Sequence, residues 1–169
     1  MTEVDTYYEE SRAAIQIFGA AEVSLKVAIQ ASLTKGLVLA AASFFEATIL
    51  LHLERIYRQK LAQAPSLAEF VKNKGMERQY HTYFDWDSSN GNRFFGLFGP
   101  DFAAAMKSKF KLDPNLEAAT KDFLKLGRLR NELAHENFAA FSLDETLDDV
   151  FALYQSALRF VQALKSEIA

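Results

Sequence analysis

From Gly36 to Leu53 the chain reads GLVLAAASFFEATILLHL, an apolar run long enough to cross a bilayer and broken by only two ionisable residues, Glu46 and His52. This run decides the class of fold. Inside a membrane, a carboxylate near mid-span costs about 2.5–3.5 kcal/mol on an insertion scale, and the polar stretch ERIYRQK follows at once. In a soluble bundle the same run forms a central helix, nearly buried all round. The second solution carries the smaller penalty, so the sequence predicts a soluble protein with no membrane partner.

The rest of the chain agrees with a helical protein. With 169 residues, 50% of them apolar, it can bury one sizeable core, and residues 1–169 read as a single domain. Three Pro and seven Gly are too few for the many turns of an all-β chain. The expected fold is all-α, an antiparallel bundle of four long helices with short additional helices. A net charge of −3 argues against non-specific duplex binding as the main task. The absence of cysteine rules out disulfides and thiolate metal sites, and it fits a reducing, cytoplasmic compartment. The acidic, polar start MTEVDTYYEES is unlike a signal peptide.

Element boundaries follow from caps and breakers. A first helix is expected over about 3–32, bent near Gly19, and a second over about 34–63, ended by Ala64-Pro65. Ser66 and Glu69 have capping-box spacing for a short helix ending at Gly75. Residues 76–100 are the least regular part, with seven aromatic rings and the turn signal SSNGN; such rings should pack on the bundle or on a partner. DFAAAMKSKFK predicts another short helix. Asp113 followed by Pro114 marks the N-cap and first position of the next one, and Ser142-x-x-Glu145 is read as a capping box opening a last helix that runs to Ile168.

The segment LKLGRLRNELAHENF carries the chemistry. On a helical wheel from Pro114, Lys121, Lys125, Arg128, Glu132 and His135 share a polar stripe. Leu116, Ala119, Phe123, Leu126 and Leu133 form the core stripe, with Arg130 among them. A guanidinium there must find a carboxylate or a phosphate, because an unpaired buried charge is prohibitive. Two readings stand open. In one, Arg130 forms a core ion pair with Glu46. In the other, Arg130 holds a phosphate bidentately, His135 moves protons near neutral pH, and Asn131 donates to a phosphate oxygen or orients the imidazole. With no metal ligands and no cofactor implied, the second set suits phosphodiester cleavage by the RNA's own 2′-hydroxyl. Residues five apart lie about 140° apart on an ideal helix, so the helix must end by His135, or a second copy must complete the site.

Arg130-Asn131-x-x-x-His135 resembles the Arg-x4–6-His motif of HEPN domains, in which a polar residue often follows the arginine. ASFFEATILLHL resembles the Glu-bearing helix of some HEPN subgroups, and NRFFGLFG their aromatic segment. The resemblance implies a small helical bundle, a homodimer and a metal-independent ribonuclease of the kind found in toxins and phage defence, restrained by an antitoxin or sensor protein. It implies His135 as general acid or base, Arg130 on the scissile phosphate, Asn131 orienting it and a 2′,3′-cyclic phosphate product. HEPN toxins paired with nucleotidyltransferase antitoxins often carry Tyr two residues after the histidine. Here that position is Asn137, which puts control by tyrosine modification in doubt.

Seven basic residues against three acids between Lys107 and Arg130 offer an RNA-backbone footprint, with Lys121, Lys125 and Arg128 as its candidates; a solvated helix face has the same pattern. His81, Asp85 and Asp87 are too few for a convincing metal site. Tyr80, Tyr83, Phe84 and Trp86 are stacking candidates that core packing explains better. His52 is expected to be a hydrogen-bonded core histidine. Two rivals to the nuclease remain: a non-catalytic HEPN-like module binding RNA or protein, and an unrelated helical adaptor using 76–100 as its interface.

Overall fold

A computed structural model describes residues 1–17 and 23–168. The described residues are helical with no strand: α1 (Glu3–Ile17), α2 (Val23–Lys60), α3 (Pro65–Val71), a π-helical turn (Lys72–Met76), α4 (Tyr80–Tyr83), α5 (Asn92–Gly96), α6 (Pro100–Leu112), α7 (Pro114–His135) and α8 (Leu147–Glu167). The four long helices are α1, α2, α7 and α8, as expected. Thr2, Asp5 and Tyr8 bond to Tyr154, Gln155 and Asp148 respectively, so α1 runs antiparallel to α8. Lys35 meets the loop after α7 while Glu46 meets Arg130, so α2 and α7 are antiparallel too.

Several boundaries differ from the sequence reading. The first helix does not reach 32: α1 ends at Ile17, and α2 passes unbroken through Ser32 to Gly36. Thr34 starts nothing, because its buried hydroxyl donates back to the Gln30 carbonyl at 2.8 Å within the continuing helix. The bend proposed at Gly19 lies outside the described residues. α3 begins at Pro65, a residue before the proposed capping serine, and has no side-chain cap. The last capping box is Thr146–Asp149 instead of Ser142–Glu145; Thr146 Oγ1 accepts from the Asp149 amide at 3.2 Å, and Glu145 is engaged by Lys125 at 2.7 Å. The Asp113-Pro114 start is as read, with Asp113 Oδ1 accepting from the Asn115 and Leu116 amides.

α2 is long and apolar enough to cross a membrane by length and composition alone. It is not buried all round. Leu37, Val38, Ala41, Phe45, Ile49 and His52 face the core, while Ser43, Ala47 and Leu51 on the opposite side are exposed. His52 is buried, but its Nε2 has no hydrogen-bond partner among the described residues. Burial, and then the charges of Arg55 and Lys165, push the His52 imidazole below its usual range.

Phenylalanine makes the core continuous. Phe123 of α7 lies 5.6 Å from Phe45 of α2, 4.8 Å from Phe160 of α8 and 4.9 Å from Phe84 of the 76–100 segment. Phe84 stacks on Phe94 at 4.7 Å. Each such ring contributes about 1.5–3 kcal/mol by burial, and Tyr80, Tyr83, Phe84, Phe94 and Phe95 are all buried. Five of the seven rings of 76–100 therefore belong to the bundle's own core, while Trp86 is half-buried and Phe98 is exposed.

The segment docks through Gly127. A Cβ built there would lie 2.1 Å from two ring atoms of Trp86, so α7 must be bare at this position for the indole to sit against it. At an open helical site, Gly→Ala gains about 1 kcal/mol. Gly127→Ala should instead lose about 1–3 kcal/mol to overpacking, measured by urea unfolding; a gain in stability would show that Trp86 does not pack on α7.

Candidate active site

α7 ends at His135, with Glu136 already extended beyond it. Asn137 then takes over the backbone: its Oδ1 accepts from the Ala139 amide at 3.0 Å, and its carbonyl accepts from Ala140 and Phe141. The loop is anchored by Lys35, buried in α2, whose Nζ donates to the Phe138 carbonyl at 2.6 Å and lies 5.0 Å from the Phe138 ring centroid. His135 is still the last helical residue, so its Cβ stays about 140° from that of Arg130; the Arg130 guanidinium offsets this by reaching round to Asn131, one turn before His135.

Arg130, Asn131, His135 and Glu46 line one cavity of about 460 Å³, within the range of small-ligand sites. Its walls are Phe45 and Leu50 from α2, Phe123 and Gly127 from α7, and Trp86. Arg130 is not a core residue: its side chain is 41% exposed, and Nη2 stands 4.0 Å from Glu46 Oε2, itself 37% exposed. That is a loose, half-solvated pair, in contrast to the buried ion pair of the structural reading. Arg130 Nη1 donates to Asn131 Oδ1 at 3.2 Å, which leaves the Asn131 NH2 group to donate to a ligand.

Tyr80 is buried beside this pair. Burial raises its phenol well above the ordinary value, Glu46 raises it further, and Arg130 opposes them. Its hydroxyl therefore stays protonated, a donor and never a base at neutral pH. Asn131 and His135 also line a second, shallower groove with His81, Trp86, Arg128 and Glu132.

The basic candidates separate here. Arg128 lines the shallow groove and lies 3.8 Å from Glu132. Lys121 and Lys125 line neither depression; they are bound to Glu117 on the same helix and to Glu145 in the loop before α8, each at 2.7 Å. His81, Asp85 and Asp87 share the groove wall without forming a metal-binding cluster among the described residues.

One contributor escaped sequence reasoning. Arg78 lines the deep cavity with φ of 56°, the only positive value at a non-glycine position among the described residues. The left-handed conformation costs about 1–2 kcal/mol for a residue with a Cβ. Next to it, His81 also lines the cavity, and its carbonyl accepts from the Trp86 indole at 3.1 Å. Tyr83 Oη donates to the Gly75 carbonyl at 2.6 Å and closes the turn that carries both. An Arg at a turn position where Gly or Asn is favoured was the available signal, but the turn itself is not visible in the sequence.

An all-helical bundle is the fold that the HEPN resemblance implies. The chain belongs to the HEPN family described as RiboL-PSP-HEPN, whose model matches residues 7–169. Comparison with curated proteins and with solved structures returned no match.

The loose Arg130–Glu46 pair has a measurable consequence. Arg130→Ala should change unfolding free energy by about 1 kcal/mol or less, as for exposed pairs. A loss of about 3–5 kcal/mol would mark a buried ion pair instead and return Arg130 to a structural role.

Proposed function

We propose that this chain is a metal-independent endoribonuclease of HEPN type, acting in a toxin or defence system. The observation that supports it most is the convergence of Arg130, Asn131 and His135 on one cavity at the end of α7. In this reading the scissile phosphate sits on the Arg130 guanidinium, which stays cationic as charge builds on the phosphoryl oxygens. The Asn131 amide nitrogen donates to the same group. His135, exposed at the cavity rim, moves a proton at the 2′-hydroxyl or at the leaving 5′-oxygen. Glu46 supports the site by holding Arg130 loosely without sealing it. Arg128, at the shallow groove, is the surviving candidate for flanking RNA contact; Lys121 and Lys125 take part only if RNA displaces their carboxylates. The protein works in the cytoplasm as a homodimer, restrained by an antitoxin or sensor partner.

The alternative is a non-catalytic HEPN-like module, supported by the proximity of Glu46 to Arg130. Cleavage of single-stranded RNA in EDTA separates the two. The wild type should leave 2′,3′-cyclic phosphate ends, and His135→Ala should lower the rate by about 100-fold or more. Intact RNA with folded wild-type protein would favour the binding module.

A further inference from the structure

Two features of the sequence remain without a role: the basic run from Lys107 to Arg130 and the turn SSNGN. The fold divides the first. Lys109 pairs with Glu167, Lys121 with Glu117 and Lys125 with Glu145. Arg128 and Arg130 stand beside Glu132 and Glu46. Of this run, only Lys107 and Lys111 form no ion pair among the described residues. One turn apart on α6, they share a face of that helix.

The turn meets the same helix. Gly91 lies against Phe95, where an added Cβ would come within 2.8 Å of the ring, and Phe95 packs 5.3 Å from Phe110 of α6. Lys107, Lys111, Asn90 and Asn92 thereby line one cavity of about 350 Å³, whose far wall is Glu117 and Thr120 of α7. Asn90 Oδ1 accepts from the Asn92 amide at 3.1 Å, so its NH2 group is the half left to donate. Two ammonium groups and the amide donors stand against a single carboxylate, Glu117, which Lys121 already holds. Such a set favours an anion with several acceptor oxygens, in a chain whose net charge is −3.

Which anion follows from position. On α7, Thr120 of this cavity and Gly127 and Asn131 of the first lie within about 20° of one another, so both cavities lie along one face of the helix. The rise from Thr120 to Asn131 is about 16 Å, a few nucleotides of an extended strand. The shallow groove shares Asn131 with the first cavity, and its Arg93 adjoins Asn92 of the second. That groove carries Asp85 and Asp87 as well as Arg93 and Arg128, so it offers no continuous basic track. A polyanion bridging the two cavities is held at two points.

We infer that the cavity between the 88–92 turn and α6 is a second binding site for single-stranded RNA, where Lys107 and Lys111 take backbone phosphates and Asn90 and Asn92 donate to the same strand. This deepens the ribonuclease reading and rests on it for the identity of the polyanion. The two lysines bind substrate a few nucleotides from the bond that is cut and take no part in the chemistry.

The test measures binding of fluorescein-labelled, mixed-sequence single-stranded RNA of about 12 nucleotides to the whole chain made non-cleaving by His135→Ala. Adding Lys107→Ala and Lys111→Ala together should cut the slope of log affinity against log salt by about 1.4, two phosphate contacts. Both lysines are exposed, so melting should stay at the parent's temperature. Lys60→Ala with Lys74→Ala removes the same charge from exposed lysines outside both cavities and should leave the slope as it was. Asn92→Ala should weaken binding about threefold or more at an unchanged slope. With His135 restored, the α6 double variant should raise KM for this RNA about tenfold at about 0.1 M salt, with kcat unchanged. An unchanged slope in the α6 double variant, or an equal fall in the Lys60 and Lys74 control, overturns the inference, and wild-type cleavage then leaves the ribonuclease reading standing. Intact RNA with the wild type, together with the expected fall in slope, overturns the ribonuclease reading alone and leaves this cavity as an RNA-binding site.

Discussion

The close approach of Trp86 to Gly127 is the contact on which the site depends. Only a helix without a side chain at that position admits the indole, whose ring atoms occupy the place of a Cβ. Trp86 then fixes the His81 carbonyl and packs 5.1 Å from Phe84, which in turn touches Phe123 and Phe94. Through this chain of rings an otherwise irregular segment becomes a wall. Gly127 lies one helical turn before Arg130 and Asn131, so the wall stands beside the motif and encloses a cavity with it.

Within that enclosure the magnitudes favour a site over a strut. A buried guanidinium–carboxylate pair must hold close geometry to offset desolvation. Arg130 and Glu46 are 4.0 Å apart and more than a third exposed, so they gain little from each other. The arginine keeps most of its capacity for a ligand, and Asn131 is oriented by the hydrogen bond it accepts. Tyr80 adds a hydroxyl that cannot ionise near neutral pH. Together these groups favour an anion in a partly dehydrated pocket, where charge-assisted hydrogen bonds are strongest.

Much of this was legible in the sequence. Asp113-Pro114 marked the start of α7, Glu46 stood out as the sole carboxylate of an apolar run, and Arg130-Asn131-x-x-x-His135 carried the resemblance to the family whose model the chain matches. Other features depended on tertiary contacts that no local rule reports. Ser142 and Thr146 are equally good caps with acids three residues later, and Lys125 decided between them by engaging Glu145. Lys35 is buried because the Phe138 carbonyl, 103 residues away, receives it. Arg78 was invisible because a left-handed turn residue cannot be recognised without its turn. His81 was visible, but its spacing to Asp85 and Asp87 drew attention to a metal instead of to the cavity.

Arg130 and His135 of one chain line the same cavity, and in the proposed function they serve one site there. Mixing separately inactive Arg130→Ala and His135→Ala proteins, co-refolded so that mixed dimers form, tests it directly against wild-type cleavage. If each chain holds its own Arg130–His135 set, every site in a mixed dimer lacks one of the two, and the mixture stays as inactive as its components. If the two residues instead meet across a dimer interface, half the sites in a mixed dimer are intact. Restored cleavage would show that Arg130 of one chain works with His135 of its partner and not with its own.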